Sequence, residues 1–177
     1  MCGIAGILSP GRSPDAATLA RMLEAQRHRG PDGQGTLLSA PLALGAVRLA
    51  VRDRSEASVQ PLASEDGRFA LAYNGELYND AELRRDLEGE GWRFRSSGDA
   101  EVVLAALALR GGAALTDFNG VFALAFWDAR QARLLLARDR MGLRPLYRAE
   151  AGGDLLFASE IKGLLASGKV HAALDGP

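Results

Sequence analysis

Residues 68–80 read RFALAYNGELYND. Phe69, Leu71 and Tyr73 share one face at every second position, so 68–74 reads as a half-buried strand. Asn74-Gly75 then poses a choice. Asn-Gly is a strong hairpin-turn signal, but glycine also lets a backbone approach a ligand closely. A hairpin needs a returning strand. Glu76, Leu77 and Tyr78 lead instead to Asn79-Asp80, which caps a short helix carrying Leu83 and Leu87. The Asn-Gly pair is therefore a candidate for chemistry rather than for a turn.

Working outward, CGIAGIL at 2–8 reads as a buried opening strand. Ser13-Pro14 offers a helix start, with Pro14 at the first helical position. Leu19, Met22, Leu23 and Gln26 follow at helical spacing, and Gly30-Pro31 stops that helix. Residues 42–51 read as a strand, and Trp92 with Phe94 mark another. Asp99 opens an apolar helix that ends at Gly111-Gly112. VFALAFWD at 121–128, RLLLAR at 133–138 and LLFAS at 155–159 read as strands of a second sheet. Glu160–Leu165 forms a last short helix. The connections near 9 and near 128 are hairpin-sized. Strands come in runs with helices between the runs, which argues for α+β rather than an alternating parallel sheet.

The chain has 177 residues, enough for one domain with a core that needs no disulfide or metal. Residues 166–177 are weakly patterned and read as a linker. A formal net charge of −1 gives no basic field for nucleic acid or an anionic membrane. The single cysteine excludes an internal disulfide and fits a reducing compartment. The start lacks the basic and apolar segments of a signal peptide, and no apolar run approaches the length of a membrane span. A cytoplasmic protein is expected. A metal site is not, because His28 and His171 are the only histidines and the clustered ligands of a zinc site are missing.

Cys2 is the sharpest chemical feature. A small second residue favours removal of the initiator methionine, which would leave Cys2 with both a thiol and a free α-amine. In model peptides these groups titrate near about 8.5 and about 7.7–8.0. One residue then holds a nucleophile and its base, with no histidine partner. Position alone favours the bland reading, a small cysteine buried in a strand.

The wider pattern shifts that balance. MCGIAGI, RHRGPDG (27–33), VRLAVRD (47–53), YNGELYN (73–79), SGDAE (97–101), RDRMGLRPLY (138–147) and FASEIKGLL (157–165) occur in that order. Together they resemble the N-terminal glutaminase domain of the asparagine synthetase family, a branch of the class II amidotransferases. The likeness runs from Cys2 to about Leu165. It implies an N-terminal-nucleophile fold of two antiparallel sheets packed between helical layers, and hydrolysis of L-glutamine to L-glutamate and ammonia through a Cys2 thioester. It also implies that Asn74 and Gly75 form the oxyanion hole, that Arg48 grips the substrate carboxylate, and that Asp99 binds its ammonium. Glu76 matches a residue of the same pocket, and Leu49, Ala50, Val51 and Arg52 match its backbone-lined wall. The loop 27–33 would lie over the glutamine site.

Several of these residues also have a purely structural explanation. Asp99 is a first-turn helix acid favoured by the dipole. His28 and Arg29 are positive charges at a helix end. Arg138, Asp139, Gly142 and Pro145 read as a buried turn with an internal ion pair. The sequence departs from the family pattern at Ala46, where histidine is common, and at Arg52, where an apolar residue is usual.

Full-length family members carry a second domain that uses ATP, with a Ser-Gly-Gly stretch followed by Asp-Ser. Neither that stretch nor a P-loop occurs here. No cofactor is expected in this chain. ATP and Mg are expected only on a synthetase partner or domain, and a homodimer is a further option. Two other readings stay open: a non-catalytic regulatory or docking module of a synthetase, and a different amide hydrolase with an N-terminal nucleophile. The latter would not need both Arg48 and Asp99.

Overall fold

The computed structural model describes residues 1–50 and 59–173. Nine strands form two antiparallel sheets among the described residues. The first sheet has the order β2 (Gly33–Ser39), β3 (Leu42–Arg48), β1 (Gly3–Leu8), β9 (Asp154–Ala158), β8 (Tyr147–Ala151). The second has the order β4 (Leu62–Ala63), β5 (Phe69–Leu77), β6 (Gly120–Asp128), β7 (Arg133–Arg138).

Side-chain alternation divides the core into three layers. Ile4, Leu42, Leu44, Ala46 and Phe157 of the first sheet meet Ala70, Ala72, Ala125 and Trp127 of the second. Small residues on the second sheet let the two approach, and Gly6 leaves room for the Phe157 ring, which a Cβ there would meet at 2.1 Å. The outer face of the first sheet, Ala5, Ile7, Ala43 and Val47, packs on Leu19, Met22 and Leu23 of α1 (Ala16–Glu24) and Leu164 of α4 (Ile161–Leu165). On the second sheet, Leu71, Tyr73, Leu124 and Phe126 cover α2 (Asp80–Gly89) and α3 (Asp99–Arg110). The result is the expected sandwich, helix–sheet–sheet–helix.

Several local readings change. Helix α1 is capped by Asp15, not by Ser13: its carboxylate accepts the N–H groups of Ala17 and Thr18. The connection near 9 leads into that helix and is not a hairpin, whereas the one near 128 joins β6 to β7 as expected. Asn79 sits at the N-cap position of α2 but does not cap it. Its amide bridges to Asp117 O and Asn119 N instead. Trp92 and Phe94 are not in a strand. They anchor the α2–α3 connection onto the helical core, with the Arg84 guanidinium 4.0 Å over the Phe94 ring. Strand 155–159 belongs to the first sheet, beside β1, because it pairs Ala5 with Ala158. Strands β2 and β8 escape a pattern search because both are edge strands, largely exposed.

Candidate active site

Strand parity brings the first site residues together. Cys2 has the parity of Ile4, Arg48 that of Ala46, and Asn74 that of Ala72. Ile4, Ala46 and Ala72 all face the space between the sheets, so the three side chains converge at one end of the sandwich. A cavity of about 200 Å³ opens there. Met1, Cys2, Arg48, Leu49, Ala50, Asn74, Gly75, Glu76, Asp99 and Arg144 are among the residues that line it. Val51 and Arg52 lie outside the described residues.

The nucleophile candidate is half-buried. The Leu49 N–H points at the Cys2 sulfur from 3.4 Å, and the sulfur lies 3.8 Å from Leu49 O. This places the chain after β3 against the thiol. The loop 30–32 braces that chain: Asp32 N donates to Arg48 O (3.0 Å), and Ala50 N donates to the Asp32 carboxylate (2.8 Å). The reading of 42–51 as strand therefore holds only to Arg48, where the ladder ends.

Asn74 and Gly75 do not form a turn. They sit within β5, opposite Ala123 and Phe122. The Asn74 side chain is buried, and its Nδ2 has no hydrogen-bond partner among the described residues. Buried donors are nearly always paired, so an orphan one that lines the same cavity as the Cys2 thiol is placed to receive a substrate oxygen. Gly75 is where the chain cannot carry a side chain, because a Cβ would meet Val121 O at 2.5 Å and Phe122 Cβ at 2.7 Å.

The ladder also orients the Gly75 N–H. Phe122, opposite Gly75, turns its own backbone away, donating to Asp139 Oδ2 and accepting from Asp139 N. In an antiparallel pair, Gly75 must then face the other edge. Its neighbours of like parity use that edge: Tyr73 N donates to Gln60 Oε1 (2.6 Å), and Leu77 N donates to Asp99 Oδ2 (2.9 Å). Strand β4 reaches only as far as the Ala70–Leu71 pair, so among the described residues no strand pairs with β5 beside Gly75, which lines the cavity.

Asp99 occupies the first position of α3 and is buried. Its carboxylate ties the helix to β5 through Leu77 N and the Tyr73 hydroxyl, 3.1 Å away. Burial, and then the Asp99 charge, push the Tyr73 hydroxyl pKa up, so the phenol stays a donor. Behind this wall, the Glu101 carboxylate receives Arg95 N, Ser96 N and the Ser96 hydroxyl. It thereby fixes the loop that leads to Asp99.

Two residues with contacts at this end were not singled out by the sequence. Arg144 reaches into the cavity, with Nη1 2.8 Å from Met1 Sδ. Arg29, read as a helix-end charge, donates Nε–H to the Cys2 carbonyl at 2.9 Å. The only sequence signal for Arg29 is its place in the RHRGPDG segment. The 138–145 turn also differs from expectation. Asp139 does not make the anticipated internal ion pair its main bond. It accepts four backbone N–H groups, from Phe122, Met141, Leu143 and Arg144. Burial raises its pKa, and these bonds more than offset the rise. The Arg138 guanidinium instead packs over Gly142, whose φ of +65° suits glycine.

A family model described as a glutamine amidotransferase domain matches residues 1–177. The chain belongs to that family. It is 35% identical to asparagine synthetase [glutamine-hydrolyzing] 3 of Bacillus subtilis, over 99% of this chain and 29% of that protein. It is 33% identical to a putative asparagine synthetase [glutamine-hydrolyzing] of Methanocaldococcus jannaschii, over 97% of this chain and 36% of the relative. The chain thus spans about a third of these relatives. The solved structure of glutamine phosphoribosylpyrophosphate amidotransferase from B. subtilis superposes with a TM-score of 0.80. It is 26% identical and covers 94% of this chain and 44% of that one. The amidotransferase sandwich expected from the sequence is therefore the fold observed. No helix among the described residues is long and apolar enough to cross a membrane.

Proposed function

We propose that this domain hydrolyses L-glutamine to L-glutamate and ammonia, with Cys2 as nucleophile once Met1 has been removed. The observation that carries this reading is the buried, unpartnered Asn74 Nδ2 in the same cavity as the Cys2 thiol. The Cys2 α-amine takes the thiol proton, and the sulfur attacks the side-chain amide carbon of glutamine. The Asn74 amide and the Gly75 N–H receive the oxyanion. Collapse expels ammonia with the proton held by the amine. Water then attacks the thioester, returning the thiol and releasing glutamate. Arg48 and Asp99 hold the substrate carboxylate and ammonium, with Leu49, Ala50 and Glu76 as the surrounding wall. This chemistry needs no metal or cofactor in the chain.

The ammonia is assigned to an ATP- and Mg-using synthetase domain or subunit. Support comes from the relatives, which are named as synthetases and are about three times as long as the part this chain matches. The segments 138–147 and 160–165 also carry the exposed apolar side chains Met141, Leu143, Tyr147 and Ile161, which a docked partner would cover. The test is a glutaminase assay on the purified chain, with the N-terminal mass measured in the same sample. Glutamate release by a Cys2-terminated chain supports the reading. Absence of release from a correctly processed chain favours the non-catalytic docking module.

A further inference from the structure

The nucleophile is held from behind by a two-step relay. Arg29 lies in the short 3₁₀ turn Arg27–Arg29, and its side chain is only 8% exposed. Nε binds the Cys2 carbonyl at 2.9 Å, and Nη1 binds Glu160 Oε1 at 2.9 Å. The same carboxylate oxygen meets His28 Nε2 at 3.0 Å, while Oε2 meets Lys162 Nζ at 3.1 Å. Glu160 occupies the N-cap position of α4, yet its side chain makes no capping bond. The carboxylate is turned toward Arg29 rather than toward its own helix. Next to it, Ser159 closes the β1 ladder beside the nucleophile, donating N–H to Ile4 O and accepting Ile4 N–H at its hydroxyl.

This matters because Cys2, as a first residue, has no preceding peptide to fix it. Its amine and thiol must meet each other and the substrate; the Leu49 N–H touches the sulfur, and the Arg29 bond fixes the residue from its carbonyl side. A guanidinium fork held at both ends supplies a rigid anchor there. We propose that Glu160 is a positioning residue for the Cys2 nucleophile and acts through Arg29. The proposal rests on Cys2 being the nucleophile.

The test compares Glu160→Ala, Glu160→Gln and Lys162→Ala in the processed chain. Two rates are measured: glutamine hydrolysis, and alkylation by iodoacetamide, which is unambiguous because the chain has one cysteine. Misplacing a reacting group by about 1 Å can cost up to roughly 100-fold. Glu160→Ala should therefore lower kcat by about 10- to 100-fold with KM little changed, and slow alkylation in parallel. Glu160→Gln keeps an oxygen acceptor for Arg29 and should recover part of both rates. Lys162→Ala, which removes a contact to the outer carboxylate oxygen and to the His28 ring but none to Arg29, should match wild type. Wild-type rates in Glu160→Ala would overturn the proposal. So would equal losses in Lys162→Ala, or losses that merely follow a lower melting temperature without recovery in Glu160→Gln. If the wild-type chain does not hydrolyse glutamine, the glutaminase reading fails, while the alkylation series still tests the relay.

Discussion

The Leu49 N–H points at the Cys2 sulfur from 3.4 Å, joining the first residues of the chain to the segment just past β3. The only cysteine of the chain sits there. Cys2→Ala should abolish glutamate release, and so should a variant that retains Met1, because the base is then tied up in a peptide bond. Stopped-time glutamate assays with N-terminal mass analysis check both. Near wild-type release from either would remove Cys2 from the mechanism.

Asn74→Ala separates chemistry from stability. Losing one oxyanion donor costs about 100- to 1,000-fold in kcat. The amide Nδ2 is already buried without a partner, so little native hydrogen bonding is lost with it. The melting temperature should hold or rise while kcat falls. A large loss of stability with kcat intact would make Asn74 a structural residue.

Gly75→Ala should act through packing. The added methyl would press on Val121 O and Phe122 Cβ within the β5–β6 ladder. Overpacking of this kind costs about 1–3 kcal/mol. Urea unfolding should show it, and the displaced N–H should lower kcat as well. A Gly75→Ala protein with unchanged stability would contradict the strand geometry.

Asp99→Asn keeps an oxygen acceptor for Leu77 N and the Tyr73 hydroxyl but loses the charge. It should fold as wild type and bind glutamine poorly. Removing one side of a charge-assisted contact costs about 2–5 kcal/mol, so KM should rise by roughly 30-fold or more. Arg48→Ala should behave alike. Wild-type KM in both would return these residues to structural roles.

Glu160 gives a pH signature. Burial alone would raise its pKa, but hydrogen bonds from Arg29, Lys162 and His28 outweigh that and hold it at about 2, against an ordinary 4.5. A depressed carboxylate pKa stabilises the fold above the unfolded value and loses that contribution as pH falls through the folded one. Stability should therefore decline between about pH 4.5 and about pH 2 in the wild type, and decline less in Glu160→Gln. Matched acid-unfolding curves for the two would show that the carboxylate contributes nothing.

Much of this was legible in order along the chain. The face shared by Phe69, Leu71 and Tyr73, the helical spacing of Leu19, Met22 and Leu23, and the helix from Asp99 to Gly111 depend on local periodicity and caps. These act within a few residues and leave a direct trace in sequence. The sequence also placed Cys2, Arg48 and Asn74 in three separate strands, although nothing local said that their side chains would meet. The tertiary structure decided that. It chose which edges pair, moving strand 155–159 beside β1, and it left the β5 edge open at Gly75 between bonds filled by Gln60 and Asp99. It also turned Asp139 onto backbone amides and joined Glu160 to Cys2 through Arg29. Most such contacts link residues far apart in the chain, and which backbone groups of β5 and β6 are left to bond outside their ladder follows from strand pairing. The residue types alone carry no record of either.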